Sequence, residues 1–177
     1  VRNTDGTIAS DLIIADTDWK IFRAYTSLDN ATIGTENTGL SDSIENFDTW
    51  TGNRDLIASN EDWKIALYAS TVADADYVLL NEWTSGFDSN LKIYTPYLVS
   101  EVGRTQRHKG VWDESKYHLT STQNAHTFVA DSIPYLEIEG LQIETTTGGT
   151  THKAAISIDR TGVDPMHTYL SHNIIRD

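Results

Sequence analysis

The chain has no cysteine, a single methionine and three prolines in 177 residues. No disulfide can form, so cysteine usage says nothing about the compartment. Basic residues are scarce too: 13 Lys and Arg stand against 26 Asp and Glu, a formal charge of −13. Such a field repels phosphate backbones and excludes nucleic acid as an expected partner. It suits a cation-rich exterior, where screening removes much of the self-repulsion. No apolar run approaches the ~20 residues of a membrane-spanning helix, so no membrane span is expected. Also missing are a GxSxG elbow, an HExxH pair, a Walker loop and a dinucleotide fingerprint. The first residue is Val1 rather than Met, from which a processed product or part of something longer is expected.

What the chain does have is polar β-and-turn chemistry. Thr, Ser, Asp, Asn and Gly abound, and five Trp, eight Tyr and four Phe supply large core pieces or flat contact surfaces. Charge is uneven. Residues 1–62 carry twelve acidic and four basic side chains, whereas all six His lie in residues 63–177. We therefore read 1–62 as a repeat-bearing arm with a helical cap, and 63–177 as a strand-rich region. The repeat is Asp11-Leu-Ile-Ile-Ala-Asp-Thr-Asp-Trp-Lys-Ile21, which returns as Asp55-Leu-Ile-Ala-Ser-Asn-Glu-Asp-Trp-Lys-Ile65, seven of eleven positions being identical. Stacked units or a local duplication would both give this pattern, as would a strand that occupies its twin's place on a neighbouring molecule.

One helix is predicted over about 42–52. Asp42-Ser-Ile-Glu45 forms a capping box, Ile44, Phe47 and Trp50 share a face, and Gly52 stops it. Strand signals begin at Trp63. They run Trp63–Ala69, Tyr77–Trp83, Leu91–Thr95, Tyr117–Thr122, Thr127–Ala130, Tyr135–Ile138, Leu141–Glu144, Ala154–Ile158 and Tyr169–Ile175. Short strands at near-regular spacing mean a sandwich, a barrel or a solenoid.

The last stretch separates these. Tyr135-Leu-Glu-Ile-Glu-Gly-Leu-Gln-Ile-Glu144 reads strand, Gly bend, strand. Ala155-Ile-Ser-Ile158 and Tyr169-Leu-Ser-His-Asn-Ile-Ile-Arg176 follow at rung-like intervals. Residues 133–177 thereby resemble the rhythm of right-handed parallel β-helix proteins of the pectin lyase-like superfamily. Tyr25–Leu28, the helix and Trp63–Tyr94 resemble the N-terminal cap that precedes such helices in secreted bacterial and phage-associated proteins. The resemblance implies a mainly β fold: a right-handed parallel β-helix with an N-terminal capping region containing one short α-helix. Gly140 would make the bend between two sheets of a rung, and Asn173 would sit at a turn where such solenoids stack Asn side chains. The pattern is still in mid-rhythm at Asp177, so further rungs or another subunit are expected to cover that face.

Candidate sites are sparse. Asn3, Asp5 and Asp11, around Gly6, resemble part of a Ca²⁺ loop, and Asp16/Asp18 and Asp74/Asp76 offer paired oxygens. No motif demands a cofactor; Ca²⁺ is the ion these groups would take, and solvated acidic turns are the commoner outcome. Arg107-His108-Lys109 is the single basic cluster and an ordinary surface turn on its face. His118/His126 and His167/His172 lack metal-site spacing. Among Trp83, Tyr94, Tyr97, Trp112 and Tyr117, flat rings near Asp and Asn suit sugar stacking, and Trp112, Tyr117 and Tyr97 are the carbohydrate-binding candidates. Three of the five are expected to be mostly buried, with Trp112 the best candidate for exposure. The leading expectation is an extracellular or virion-surface structural module that self-associates through strand edges or solenoid ends. A polysaccharide-binding adhesion module comes second. A polysaccharide lyase or glycoside hydrolase fragment comes third, on superfamily analogy alone.

Overall fold

The computed structural model describes residues 23–40, 54–98, 105–121, 126–145, 154–160, 162 and 165–177. They form ten short strands: β1 (Trp63–Ala66), β2 (Val78–Asn81), β3 (Leu91–Tyr94), β4 (His118–Ser121), β5 (Phe128–Asp131), β6 (Tyr135–Glu139), β7 (Gln142–Thr145), β8 (Ile156–Asp159), β9 (His167–Ser171) and β10 (Ile174–Arg176). Three sheets result, ordered β1-β3-β6-β9, β2-β5-β8 and β4-β7-β10, and all their strand pairings are parallel. Among the described residues no closed barrel forms. Parallel neighbours need a long crossover. Here strands of the other two sheets supply it, since from β4 onward the chain visits the third, second and first sheets in repeating order.

The core follows from the two-residue period of a strand, which sends alternate side chains to opposite faces. Leu91 and Ile93 of β3 lie opposite Leu136 and Ile138 of β6. Val78 and Leu80 of β2 face Phe128 and Ala130 of β5, and Leu119 of β4 faces Ile143 of β7. All of these are buried in one cluster. On β3 and β6 the positions that alternate with them are polar, as with Lys92, Glu137 and Glu139, whereas Leu79 and Val129 take the intervening positions of β2 and β5.

The bends recur in register. Glu82 (φ 57°) follows β2 and Ser132 (φ 58°) follows β5, while Gly140 (φ 78°) follows β6 and His172 (φ 55°) follows β9. Because Asn81 pairs with Asp131 and Glu139 with Ser171, each pair of bends occupies one equivalent place. Gly140 joins the first sheet to the third, as its position predicts. Asn173 braces that bend: its Oδ1 accepts from Leu141 N–H at 2.9 Å, and its Nδ2 donates to Ile138 O at 3.0 Å.

Two short helices meet the strands at the other side. In α1 (Leu28–Ile33) the Ser27 side chain accepts from Asn30 N–H, Gly34 closes the helix at φ 77°, and Leu28, Ala31 and Thr32 are buried. Trp83 donates its indole N–H to Thr32 O at 3.3 Å, holding α1 beside β2. In α2 (Leu56–Ser59), Asp55 accepts from Ala58 N–H and Asn60 closes the turn at φ 54°. At six and four residues neither helix would persist alone, so packing of Leu28 and Leu56 sustains them.

Two strand expectations change. The single strand over Tyr169–Ile175 is two strands, β9 and β10, because His172 takes a left-handed conformation between them. The strand over Trp63–Ala69 ends at Ala66. The helix over 42–52 falls outside the described residues, and α1 and α2 were not foreseen.

Candidate functional site

A segment between β3 and β4 draws together parts of the chain that are remote in sequence. Gln106 accepts from Ala69 N–H through Oε1 at 2.9 Å. Next to it, Arg107 pairs with Glu139 at 2.7 Å and donates to Thr95 O at 3.1 Å. His108 meets His172 O at 2.7 Å, while Gly110 N–H donates to His108 Nδ1 at 3.1 Å. That second bond makes Nδ1 an acceptor, so Nε2–H is the donor and the ring is neutral. Burial pushes the His108 imidazole below its ordinary pKa, which agrees. Three consecutive side chains thus tie the ends of β1, β3, β6 and β9 across one edge of the molecule. Farther along, the buried Gln142 amide donates to Asp113 O at 2.9 Å and Tyr117 O at 3.2 Å, and accepts from Asp113 N–H at 2.6 Å. Arg107-His108-Lys109 was expected to be a surface turn; the first two residues are fasteners instead.

The outward face of the first sheet carries the densest charge. Lys92 contacts Glu137 at 2.9 Å and Glu139 at 2.5 Å. Burial alone would raise the Glu139 carboxyl, but hydrogen bonds from Lys92 and Arg107 outweigh it and hold the group below the usual carboxylate range. Lys92 is desolvated, yet its two carboxylate partners raise its pKa. Arg107 is committed to Glu139 and Thr95, so the cluster is a closed set of ion pairs. A closed set of this kind aligns neighbouring strands.

A second cluster surrounds Trp112. Arg176 lies over its ring with Cζ 3.7 Å from the centroid, and His118 packs at 5.7 Å. The indole N–H donates to Glu114 at 2.7 Å, and Arg176 pairs with Glu144 at 2.8 Å and Glu114 at 3.2 Å. The indole hydrogen bond, with the Arg176 bond behind it, holds the Glu114 carboxyl below its usual value.

The three carbohydrate-binding candidates therefore separate. Trp112 is half-buried beneath Arg176 rather than the most exposed ring. Tyr117 is buried, and its hydroxyl donates to Asp74 Oδ2 at 2.8 Å. Tyr97 is 56% exposed with Arg107 5.4 Å from its centroid. Of the remaining pair, Trp83 is buried and Tyr94 half-buried, so Tyr97 alone of the five rings stands exposed. Sequence gave no sign of Arg176 covering Trp112, because the two are far apart along the chain.

The metal candidates Asn3, Asp5 and Asp11 lie outside the described residues, as do Asp16 and Asp18. Asp74 is occupied: Oδ2 accepts from Leu28 N–H at 2.8 Å as well as from Tyr117. Burial raises its pKa. Among the described residues no group of three or more His, Asp or Glu could hold a metal ion, and no helix is long and apolar enough to cross a membrane. His126 accepts from Ala154 N–H at 2.9 Å, and His167 stacks on Tyr135 at 4.7 Å.

The feature with most consequence is a strand edge. Each sheet ends at one side in β8, β9 or β10. On β9 and β10 two positions that are core on the neighbouring strand are open, while Ile156 and Ile158 of β8 stay packed against the core. Leu170 pairs in register with Ile138, and Ile175 with Ile143. Ile138 and Ile143 are 0% exposed, whereas Leu170 is 51% and Ile175 57% exposed. No family model matches the chain, and neither a curated protein nor a solved structure does.

Proposed function

We propose that the strands wind as a right-handed parallel β-helix, covered at its first turn by α1 and α2, and that the chain is an extracellular or virion-surface structural module. It self-associates through the open edges of the last turn, formed by β8, β9 and β10. The cyclic order of the sheets and the in-register bends support the coil. The exposure of Leu170 and Ile175 beside their fully buried register partners carries the association. Those side chains have core chemistry in a core position, and they lack only a covering layer. Among the described residues no group of three or more His, Asp or Glu could hold a metal ion, so no metal site competes with this reading.

Sedimentation velocity over a wide concentration range tests it. The native chain should run above 19.8 kDa, and Leu170→Asp with Ile175→Asp should return it to a folded monomer. A native chain that stays at 19.8 kDa at every concentration ends the proposal.

Carbohydrate adhesion is the second reading, and Tyr97 is the observation that favours it: an exposed aromatic ring suits a sugar's apolar face. A glycan array probed with the native chain and Tyr97→Ala decides it. A signal lost in the variant supports adhesion; no signal with the native chain removes it.

A further inference from the structure

β1 has one hydrogen-bonded neighbour among the described residues, β3. We propose that its other edge receives residues 11–21 of the same chain, which repeat the α2–β1 unit one turn earlier. Trp19, Lys20 and Ile21 then run parallel to Trp63, Lys64 and Ile65.

The repeat gains physical content from its second copy. Seven positions agree between residues 11–21 and 55–65, and in 55–65 the agreeing residues have visible tasks. Asp55 caps α2 by accepting from Ala58 N–H at 2.9 Å. Leu56 is 0% exposed, and Trp63 and Ile65 pack against the core. Asp62 pairs with Lys64 at 3.0 Å. Asp11, Leu12, Asp18, Trp19, Lys20 and Ile21 stand at the matching places. The differences fall at 58–61, where Ala58, Ser59 and Asn60 are exposed. Asn60 is left-handed at φ 54°, and its match, Asp16, is another residue that tolerates that conformation. Units that repeat in this way bury their apolar faces by stacking on one another.

The chain enters the described region beside this very edge. Arg23 donates to Tyr68 O at 3.0 Å and to Ala69 O, just past the end of β1 at Ala66. Two residues, at most about 7 Å of chain, separate Arg23 from Ile21, and neighbouring strands lie about 4.8 Å apart. Arg23 is 45 and 46 positions from its partners, close to the 44 that separate Asp11 from Asp55. An interval of 44 also suits one turn. Register partners along the first sheet are 28 residues apart from Trp63 to Leu91, 45 from Leu91 to Leu136 and 32 from Leu136 to Thr168. Beyond Arg23 the chain passes to α1, which packs beside β2, as beyond β1 it passes to β2 itself. Trp63 and Ile65 are half-buried although their register partners Leu91 and Ile93 are 0% exposed. Trp19 and Ile21 supply the missing layer, and Asp18 offsets Lys20 as Asp62 offsets Lys64.

Backbone alternation supplies the test. Trp63 N–H and Leu67 N–H donate toward β3, to Asn90 O at 3.0 Å and Tyr94 O at 2.8 Å, so the N–H groups of Lys64 and Ala66 point to the outer edge. In the native chain both of these amides should exchange slowly with deuterium. Trp19→Asp with Ile21→Asp should speed them by about tenfold or more, the loss of one hydrogen bond each, while Trp63 and Leu67 stay protected. Fast native exchange at Lys64 and Ala66 overturns the proposal, as does protection that survives the double substitution.

The absence of native cysteine allows a second measurement that removes no apolar side chain. Lys20→Cys with Lys64→Cys should close a disulfide within one chain under mild oxidation, since neighbouring strands lie within bridging distance. Lys20→Cys with Lys109→Cys should not. Two free thiols in the first variant would count against the pairing. Cross-linking between separate Lys20→Cys and Lys64→Cys chains, mixed together, would assign the edge to a second copy and overturn it too.

Discussion

The two sides of the parallel sheets use the same residue types and reach opposite outcomes. Near β2, Leu28, Leu56 and Trp83 are 1%, 0% and 2% exposed, because two capped helical turns pack there. On β9 and β10, Leu170 and Ile175 occupy positions that are fully buried one strand earlier, and both are more than half exposed. Hydropathy does not distinguish the ends. What does is whether some other part of the chain lies over them, and this is why the open end, not a side-chain cluster, carries the functional reading.

Changing matched residues at the two ends breaks the comparison open. The largest effect is expected at the paired bends. A Cβ on Gly140 would overlap Thr95 Oγ1 and Arg107 Nε in a backbone already at φ +78°. Gly140→Ala should cost about 2–5 kcal/mol, the sum of left-handed strain and overpacking. His172 holds the same bend beside the open edge at φ 55°. There His172→Gly should change stability by no more than about 1 kcal/mol, since relief of strain offsets added chain entropy. Urea unfolding of both variants reads the difference; equal losses would mean that the bends are not equivalent.

Next come the leucines. Leu28→Ala should destabilise the fold by about 2–5 kcal/mol, whereas half-exposed Leu170→Ala should cost the monomer about 1 kcal/mol or less. Measured at low protein concentration, a large loss at Leu170 would mean that the edge is covered even in the monomer.

The smallest effect concerns pH at the covered end. Asp74 holds α1 through Leu28 N–H, and burial raises its carboxyl above the ordinary aspartate range. A raised carboxyl stabilises the fold fully below its unfolded pKa, and that contribution is lost as pH rises through the folded value. Asp74→Asn keeps an acceptor for Leu28 and Tyr117 but removes the titration. Its stability-versus-pH curve should be flatter than the native one just above pH 3.8. An unchanged slope would assign the titration elsewhere.

The strands were legible because inward alternation is local: Leu136 and Ile138, or Leu91 and Ile93, announce a buried face from neighbouring residues. Gly140 was legible for the same reason, since glycine marks a bend. His172 was not, because a histidine in the left-handed region leaves no compositional mark, and two strands merged into one expectation. The roles of Arg107, His108 and Trp112 were hidden by distance along the chain. Trp112 reads as an exposed ring until Arg176 is placed over it, and Tyr117 reads as a sugar platform until Asp74 takes its hydroxyl. α1 and α2 escaped notice since neither is long enough to show a helical period, though Ser27 with Gly34 and Asp55 with Asn60 bracket them.

The Gln106-Arg107-His108 segment has a bearing on how the molecule comes apart. A stack in which each strand touches only its neighbours can fray from an exposed edge one element at a time, with amide exchange fastest at that edge. Here the three fasteners join Ala69, Thr95, Glu139 and His172 in a single stroke. Losing β9 strips His108 of its acceptor and loosens the segment that also grips the first strands. The array is thereby converted from a zipper into a unit that opens together. Its outermost strands are then held against unravelling one at a time.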